Sequence, residues 1–115
     1  MWLDHPCIND EERTPPDAVI EAANYGIDLR REHKRGGTEV GLERARRLSA
    51  GERVSDKDIK TMYAWFARHA VDKNGQFWGH PTKPSAGYIA WHLWGGDAAQ
   101  AWIEPLRERL RGVGI

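Results

Sequence analysis

Ser55-Asp56-Lys57-Asp58-Ile59-Lys60-Thr61-Met62-Tyr63-Ala64-Trp65-Phe66-Ala67-Arg68-His69-Ala70-Val71 is the stretch on which the fold turns. Ser55 with Asp58 three residues on is the pattern of a capping box, in which each side chain accepts the other's backbone N–H. Val54 and Ile59 flank it at the two positions of a hydrophobic staple. From there Ile59, Met62, Tyr63, Phe66 and Ala70 keep the helical period to about residue 71, which predicts an amphipathic helix. With so much apolar surface on one side, this helix is expected to form the centre of the core.

Working outward toward the N-terminus, Thr38 can cap a helix over 39–50, with Leu42, Ala45 and Leu48 facing inward and Gly51 ending it. Before that, Thr14-Pro15-Pro16-Asp17 reads as a helix start. Thr14 is the N-cap, Pro15 takes the first helical position and Asp17 closes a capping box. Ile20, Ala23 and Ile27, with Ala22, Gly26 and Leu29 beside them, then form a stripe that stops at Gly36-Gly37, giving a helix over 15–35. Residues 1–13 are expected to be an irregular leader, and 14–115 a single helical domain.

Toward the C-terminus, residues 72–84 hold Asn74-Gly75, Gly79, Pro81 and Pro84, turn chemistry for a long loop between the third and fourth helices. Loops of that length often carry function. Ser85 caps a short helix with Ile89, Ala90, Leu93 and Trp94 on its buried side, and Gly95-Gly96 ends it. Asp97 opens a last helix with Gln100 completing its box, and Pro105 is expected to kink it between 98–103 and 105–111. No stretch alternates with a period of two. The expectation is an all-α compact bundle of about five helices, with Trp91, Trp94 and Trp102 packed against Met62 and Phe66.

The chain has 115 residues, one Cys and six Trp, enough for one domain with a sizeable core and no disulfide framework. The longest apolar run, Tyr88 to Trp94, is interrupted by His92 and is far short of the about 18 residues that cross a bilayer. The first residues lack the basic and apolar segments of a secretory signal, so a soluble intracellular chain is expected.

Seventeen basic and seventeen acidic residues cancel, but they are segregated. Residues 1–29 carry seven acids and only Arg13, whereas residues 30–53 carry eight basic residues against four acids. On the first long helix Arg30, Arg31, Lys34 and Arg35 form two i,i+4 pairs, partly as good chemistry for a helix C-terminus. Arg44 and Arg47 follow on the next helix, and Lys57, Lys60 and Arg68 on the polar side of the one after. These nine are the candidate nucleic-acid-binding residues. Helices 39–50 and 55–71 are expected to make a helix-turn-helix-like unit, although the connection is long for one and Asp56 and Asp58 stand where base contacts would fall. A solvated helix face is the plain alternative. Phe77 and Trp78 in the long loop are candidates for binding a protein partner or stacking a base, or they fold back onto the core.

Catalytic signatures are weak. His69, Asp72, His80, His92 and Cys7 lack metal-ligand spacing, and Asp72 to Lys83 fails as a calcium loop because Lys83 stands where a bidentate Glu is needed. No Ser lies in a nucleophile elbow. Arg35-Gly36-Gly37-Thr38 offers exposed N–H groups but not the Lys-Ser/Thr of a P-loop. No enzyme activity, metal or other cofactor is expected.

A set of motifs spans residues 29–102: Arg35-Gly36-Gly37-Thr38-Glu39-Val40-Gly41, Phe66-Ala67-Arg68-His69 with Val71-Asp72-Lys73, and Pro84-Ser85-Ala86-Gly87-Tyr88-Ile89-Ala90-Trp91 with Leu93-Trp94-Gly95-Gly96-Asp97-Ala98. It resembles an uncharacterised domain of bacteriophage and prophage proteins, found alone or joined to proteins of head assembly and DNA metabolism. The resemblance brings no catalytic residues. It implies a portable binding module working in the cytoplasm of a bacterial host or associated with the virion. The functional expectation is a phage-type accessory module that binds DNA through its basic helical face. The alternatives are an assembly adaptor or a host-protein inhibitor acting by protein contact.

Overall fold

The computed structural model describes residues 8–114. Its elements are a single turn α1 (Asp10–Arg13), then α2 (Asp17–His33), α3 (Glu39–Ser49), α4 (Asp56–His69), a 3-10 segment (Ala70–Asn74), α5 (Ala86–Leu93) and α6 (Gly96–Gly112). No strand occurs among the described residues, and the all-α expectation holds.

The central capping box forms as the sequence predicts. Asp58 N donates to Ser55 Oγ at 3.0 Å and Ser55 N to Asp58 Oδ2 at 2.8 Å. Val54, Ile59, Met62 and Phe66 are buried. Thr38 caps α3 through Gly41 N, and Ser85 caps α5 through Tyr88 N.

The first start is different. Asp17–His33 is preceded by Pro16 in extended backbone with no side-chain cap, and Thr14 instead closes α1, its hydroxyl donating to the Asp10 carbonyl. The residues 10–13 expected to be irregular are a helical turn with its own capping box, Asn9 with Glu12. Its acids precede the one strong cation Arg13, whose guanidinium bonds the Ile8 and Val54 carbonyls and Asp56 Oδ1. That contact fastens the turn to the start of α4.

Two further corrections concern α6. Gly95, at φ 106°, precedes it without any side-chain cap, and Asp97 serves Lys73 and Trp91 rather than closing a box with Gln100. Helix α6 also runs through Pro105 as one element, so the expected division there is absent.

The centre of the core is α5 rather than α4. It approaches α2, α3, α4, α6 and the 3-10 segment, whereas α4 packs chiefly on α6. Its sequence explains the placement: Ala86-Gly87-Tyr88-Ile89-Ala90-Trp91-His92-Leu93 carries no acid, Lys or Arg, and a helix without a charged face is driven to the interior. Glycine lets the neighbours close in. A Cβ on Gly26 of α2 would lie 2.5 Å from Leu93 N, so the two helices cross backbone to backbone. Gly36, at φ 97°, and Gly37, at φ 72°, turn the chain into α3 while lying directly against Ile89 and Leu93. Trp91 and Trp94 are buried as expected. Trp102 is only half-buried and donates its indole N–H to the Glu12 carbonyl at 2.9 Å.

Candidate functional site

The nine basic candidates do not form one face. Arg30, although it reaches the surface, clamps the glycine turn, with Nε to the Gly36 carbonyl at 3.2 Å and Nη2 to Glu39 at 3.3 Å. Arg35 donates to the Pro84 carbonyl at 2.6 Å and ties the two loops that precede α3 and α5. Arg44 is 12% exposed, pairs with Asp58 at 3.0 Å and lies over the Trp94 ring at 5.7 Å. Burial pushes the Asp58 carboxyl up, but the Ser55 N–H and Arg44 outweigh it and hold it below the usual range. Arg47 stands between Glu43 and Glu52 at 3.7 and 3.8 Å. These contacts tie the fold together.

The remaining cations gather in two places. On α4, Lys57, Lys60 and Arg68 are exposed and carry no ion pair with a described residue. Between α2 and α3, Arg30, Arg31 and Arg46 line a groove of about 220 Å³ with Ile27 and Leu42. Arg31 is exposed and meets only Asp28, at 3.3 Å, while Arg46 has no ion-pair partner among the described residues. Lys34 ends α2 in the left-handed conformation, φ 54°, and is exposed. Arg46 was not among the sequence candidates. Its signal was present, since it stands four residues from Leu42 and so shares that residue's side of the helix.

The helix-turn-helix expectation is not met. Helix α3 packs on α2 and α5, and α4 is not among its backbone neighbours; the Arg44–Asp58 pair bridges the space between them. Asp58, at the end that would enter a groove, is consumed by its cap and by Arg44.

The loop pair divides. Phe77 is 42% exposed, edge-on to His80. Trp78 turns inward, its ring 5.2 Å from Tyr88 and 5.9 Å from Trp91. The loop itself is organised by His80 Nδ1, which accepts from the Thr82 and Lys83 backbone N–H groups at 3.2 and 3.0 Å.

The other two candidate histidines lie elsewhere. His69 Nδ1 meets Asp72 Oδ2 at 3.2 Å and its ring stacks on Trp65 at 4.3 Å. His92 Nδ1 contacts the Tyr88 carbonyl at 2.8 Å beneath Tyr25. Burial lowers the His92 pKa and raises that of Tyr88, whose hydroxyl also meets that of Tyr25, to about 12. Among the described residues no three His, Cys, Asp or Glu side chains converge as metal ligands; Cys7 lies outside them. No helix among them is long and apolar enough to cross a membrane.

Compared with known protein families, curated proteins and solved structures, the chain matches none.

Proposed function

We propose that the chain is a small accessory module that binds nucleic acid by its phosphate backbone, in the groove between α2 and α3. The observation that carries this reading is the convergence of Arg30, Arg31 and Arg46 on one groove. Arginine presents a planar fork of donors suited to phosphate oxygens. The acids already there do not prevent it. Asp28 and Glu39 are exposed, and surface ion pairs of this kind are worth about 0–1 kcal/mol, which a multiply contacting phosphate chain can replace. Lys34 extends the positive surface at the end of α2, and Lys57, Lys60 and Arg68 offer a second set of contacts on α4. Cations grouped this way position a backbone without reading sequence. The sequence resemblance to phage and prophage domains, found alone or joined to proteins of head assembly and DNA metabolism, suits this reading and the adaptor reading alike.

The test is a salt titration of binding to single- and double-stranded DNA. Affinity is expected to fall linearly in log–log terms as salt rises. The Arg31→Glu/Arg46→Glu double variant is expected to bind more weakly, with a slope shallower by about one unit for each phosphate that it no longer neutralises. Wild-type protein with no affinity for either form at low salt overturns the reading. A second reading, an adaptor or inhibitor acting by protein contact, is favoured by the exposure of Phe77 and of Val71 nearby in the chain. Binding of that kind is insensitive to salt and abolished in Phe77→Ala.

A further inference from the structure

A continuous row of aromatic rings runs from the core to the surface. Trp94 stacks on Trp65, centroids 4.9 Å apart and 12° from parallel, and Trp65 meets Trp91 at 5.9 Å. Trp91 then meets Trp78 at 5.9 Å, Trp78 meets Tyr88 at 5.2 Å and Tyr88 meets Tyr25 at 6.2 Å, each edge-on. Every step lies within the about 4.5–7 Å of rings in direct contact. The row is assembled from α2, α4, the long loop and α5 with its C-terminal cap, so it exists only in the folded chain.

Its two ends differ. Trp65, Trp91 and Trp94 are 8%, 1% and 5% exposed, Trp78 and Tyr88 are partly buried, and Tyr25 is 44% exposed. Every member is an indole or a phenol; Phe66, 4.9 Å from Trp91, lies off the row. Both ring types give up a single electron to a strong oxidant, and the vacancy passes between rings in contact more readily than across aliphatic packing. At neutral pH a phenol that sheds its proton as the electron leaves holds the vacancy more stably than an indole does. Tyr25 meets that condition, because it is exposed, and its hydroxyl lies 3.2 Å from that of Tyr88.

The charges along the row favour the same direction. At the inner end Arg44 stands 5.7 Å over Trp94 and disfavours a positive ring there. In the middle the Trp91 indole N–H donates to Asp97 Oδ1 at 2.8 Å, and that carboxylate stabilises a positive ring. Lys73, 4.7 Å from the same ring centroid, opposes it, but its charge is paired with Asp97 at 2.6 Å.

We infer that this row carries oxidising equivalents out of the core and ends as a phenoxyl radical on Tyr25. A diffusible one-electron oxidant, such as the azidyl radical, takes one electron from an indole of the row and leaves as its anion. Each ring fills the vacancy of the one before it, until Tyr25 supplies the electron and gives its phenolic proton to water. A soluble one-electron reductant such as ascorbate then returns one electron, water returns the proton, and the phenol is restored. The core indoles are left unmodified.

The experiment is pulse radiolysis of the full chain in azide at neutral pH, where the azidyl radical oxidises indoles in preference to phenols, following the absorbances of the indole and phenoxyl radicals. The expected result is conversion of the first signal into the second at a rate independent of protein concentration. Tyr25→Phe is expected to lower the phenoxyl yield and Tyr25→Phe/Tyr88→Phe to abolish it, whereas Tyr63→Phe, outside the row, leaves it unchanged. Trp78→Phe keeps a ring in place but withholds the electron, and is expected to slow the conversion by about tenfold or more. Absence of conversion in the wild type, a rate proportional to protein concentration, a full phenoxyl yield in Tyr25→Phe, or an unchanged rate in Trp78→Phe overturns the assignment.

Discussion

At the residue scale, Gly26 and His92 face each other across the α2–α5 crossing and each makes a prediction. Any Cβ at position 26 meets backbone atoms, 2.5 Å from Leu93 N and 2.7 Å from His92 C, which cannot swing aside as a side-chain end can. Gly26→Ala is therefore expected to cost about 3 kcal/mol, the upper end for overpacking, read from the unfolding midpoint in denaturant. His92 gives a pH dependence. Burial lowers its pKa, the Tyr88 carbonyl and Asp97 oppose this, and Lys73 adds to it. The unfolded chain, titrating near about 6.5, takes up the proton first as pH falls. Stability present above that value is then lost below it, so melting temperature should decline from about pH 7 to about pH 5 and His92→Gln should flatten that decline. An equal decline in the variant would assign it to other groups. The helical stripe showed Gly26 on an inner side but not the closeness of the crossing, because periodicity records direction and not distance.

At the element scale, α1 and α6 depart most from the sequence reading. Asn9 followed by Glu12 is a capping-box pattern, readable in principle, but four residues cannot hold a helix in isolation. Tertiary contacts hold it: Arg13 on Val54 and Asp56, Trp102 on the Glu12 carbonyl, and the Arg109–Glu12 pair. Arg13→Ala leaves the Ile8 and Val54 carbonyls without that donor and is expected to cost about 2 kcal/mol, measured by chemical denaturation. Pro105 works in the opposite direction. It removes a hydrogen bond to the carbonyl of Ala101, yet α6 continues as one element, with Ile103, Leu106 and Leu110 buried on either side of the ring's turn. Pro105→Ala should raise stability by about 1 kcal/mol or more, and a lowered midpoint would show that the ring contributes packing beside Trp102 and Leu106.

For the whole molecule, part of the acidic N-terminal segment is used in ion pairs with distant residues. Asp10 meets Arg53, Glu12 meets Arg109, and Arg13 meets Asp56, whereas Glu11, Asp17 and Glu21 carry no ion pair with a described residue. Removing residues 1–13 is accordingly expected to lower the melting temperature, because these ion pairs go with it, and to leave DNA affinity at the α2–α3 groove unchanged. A gain in affinity would show that the segment shields the groove. The sequence by itself determined the helical class, the caps of α3, α4 and α5 and the inward sides of α3 and α4, because capping and periodicity are local and act within a few residues. On α2 the buried side runs through Val19 rather than Ile20. The sequence also marked α5 for the interior through its lack of charge, although the aromatic period of α4 is the more conspicuous signal. Only the tertiary structure decided that α5 is the centre, that Arg35, Arg44 and Arg47 are tied up while Arg46 carries no ion pair with a described residue, and that Trp65 and Trp94 stack on each other. Each of those depends on which distant residue arrives opposite, a matter of helix crossing and long-range pairing that local spacing does not encode.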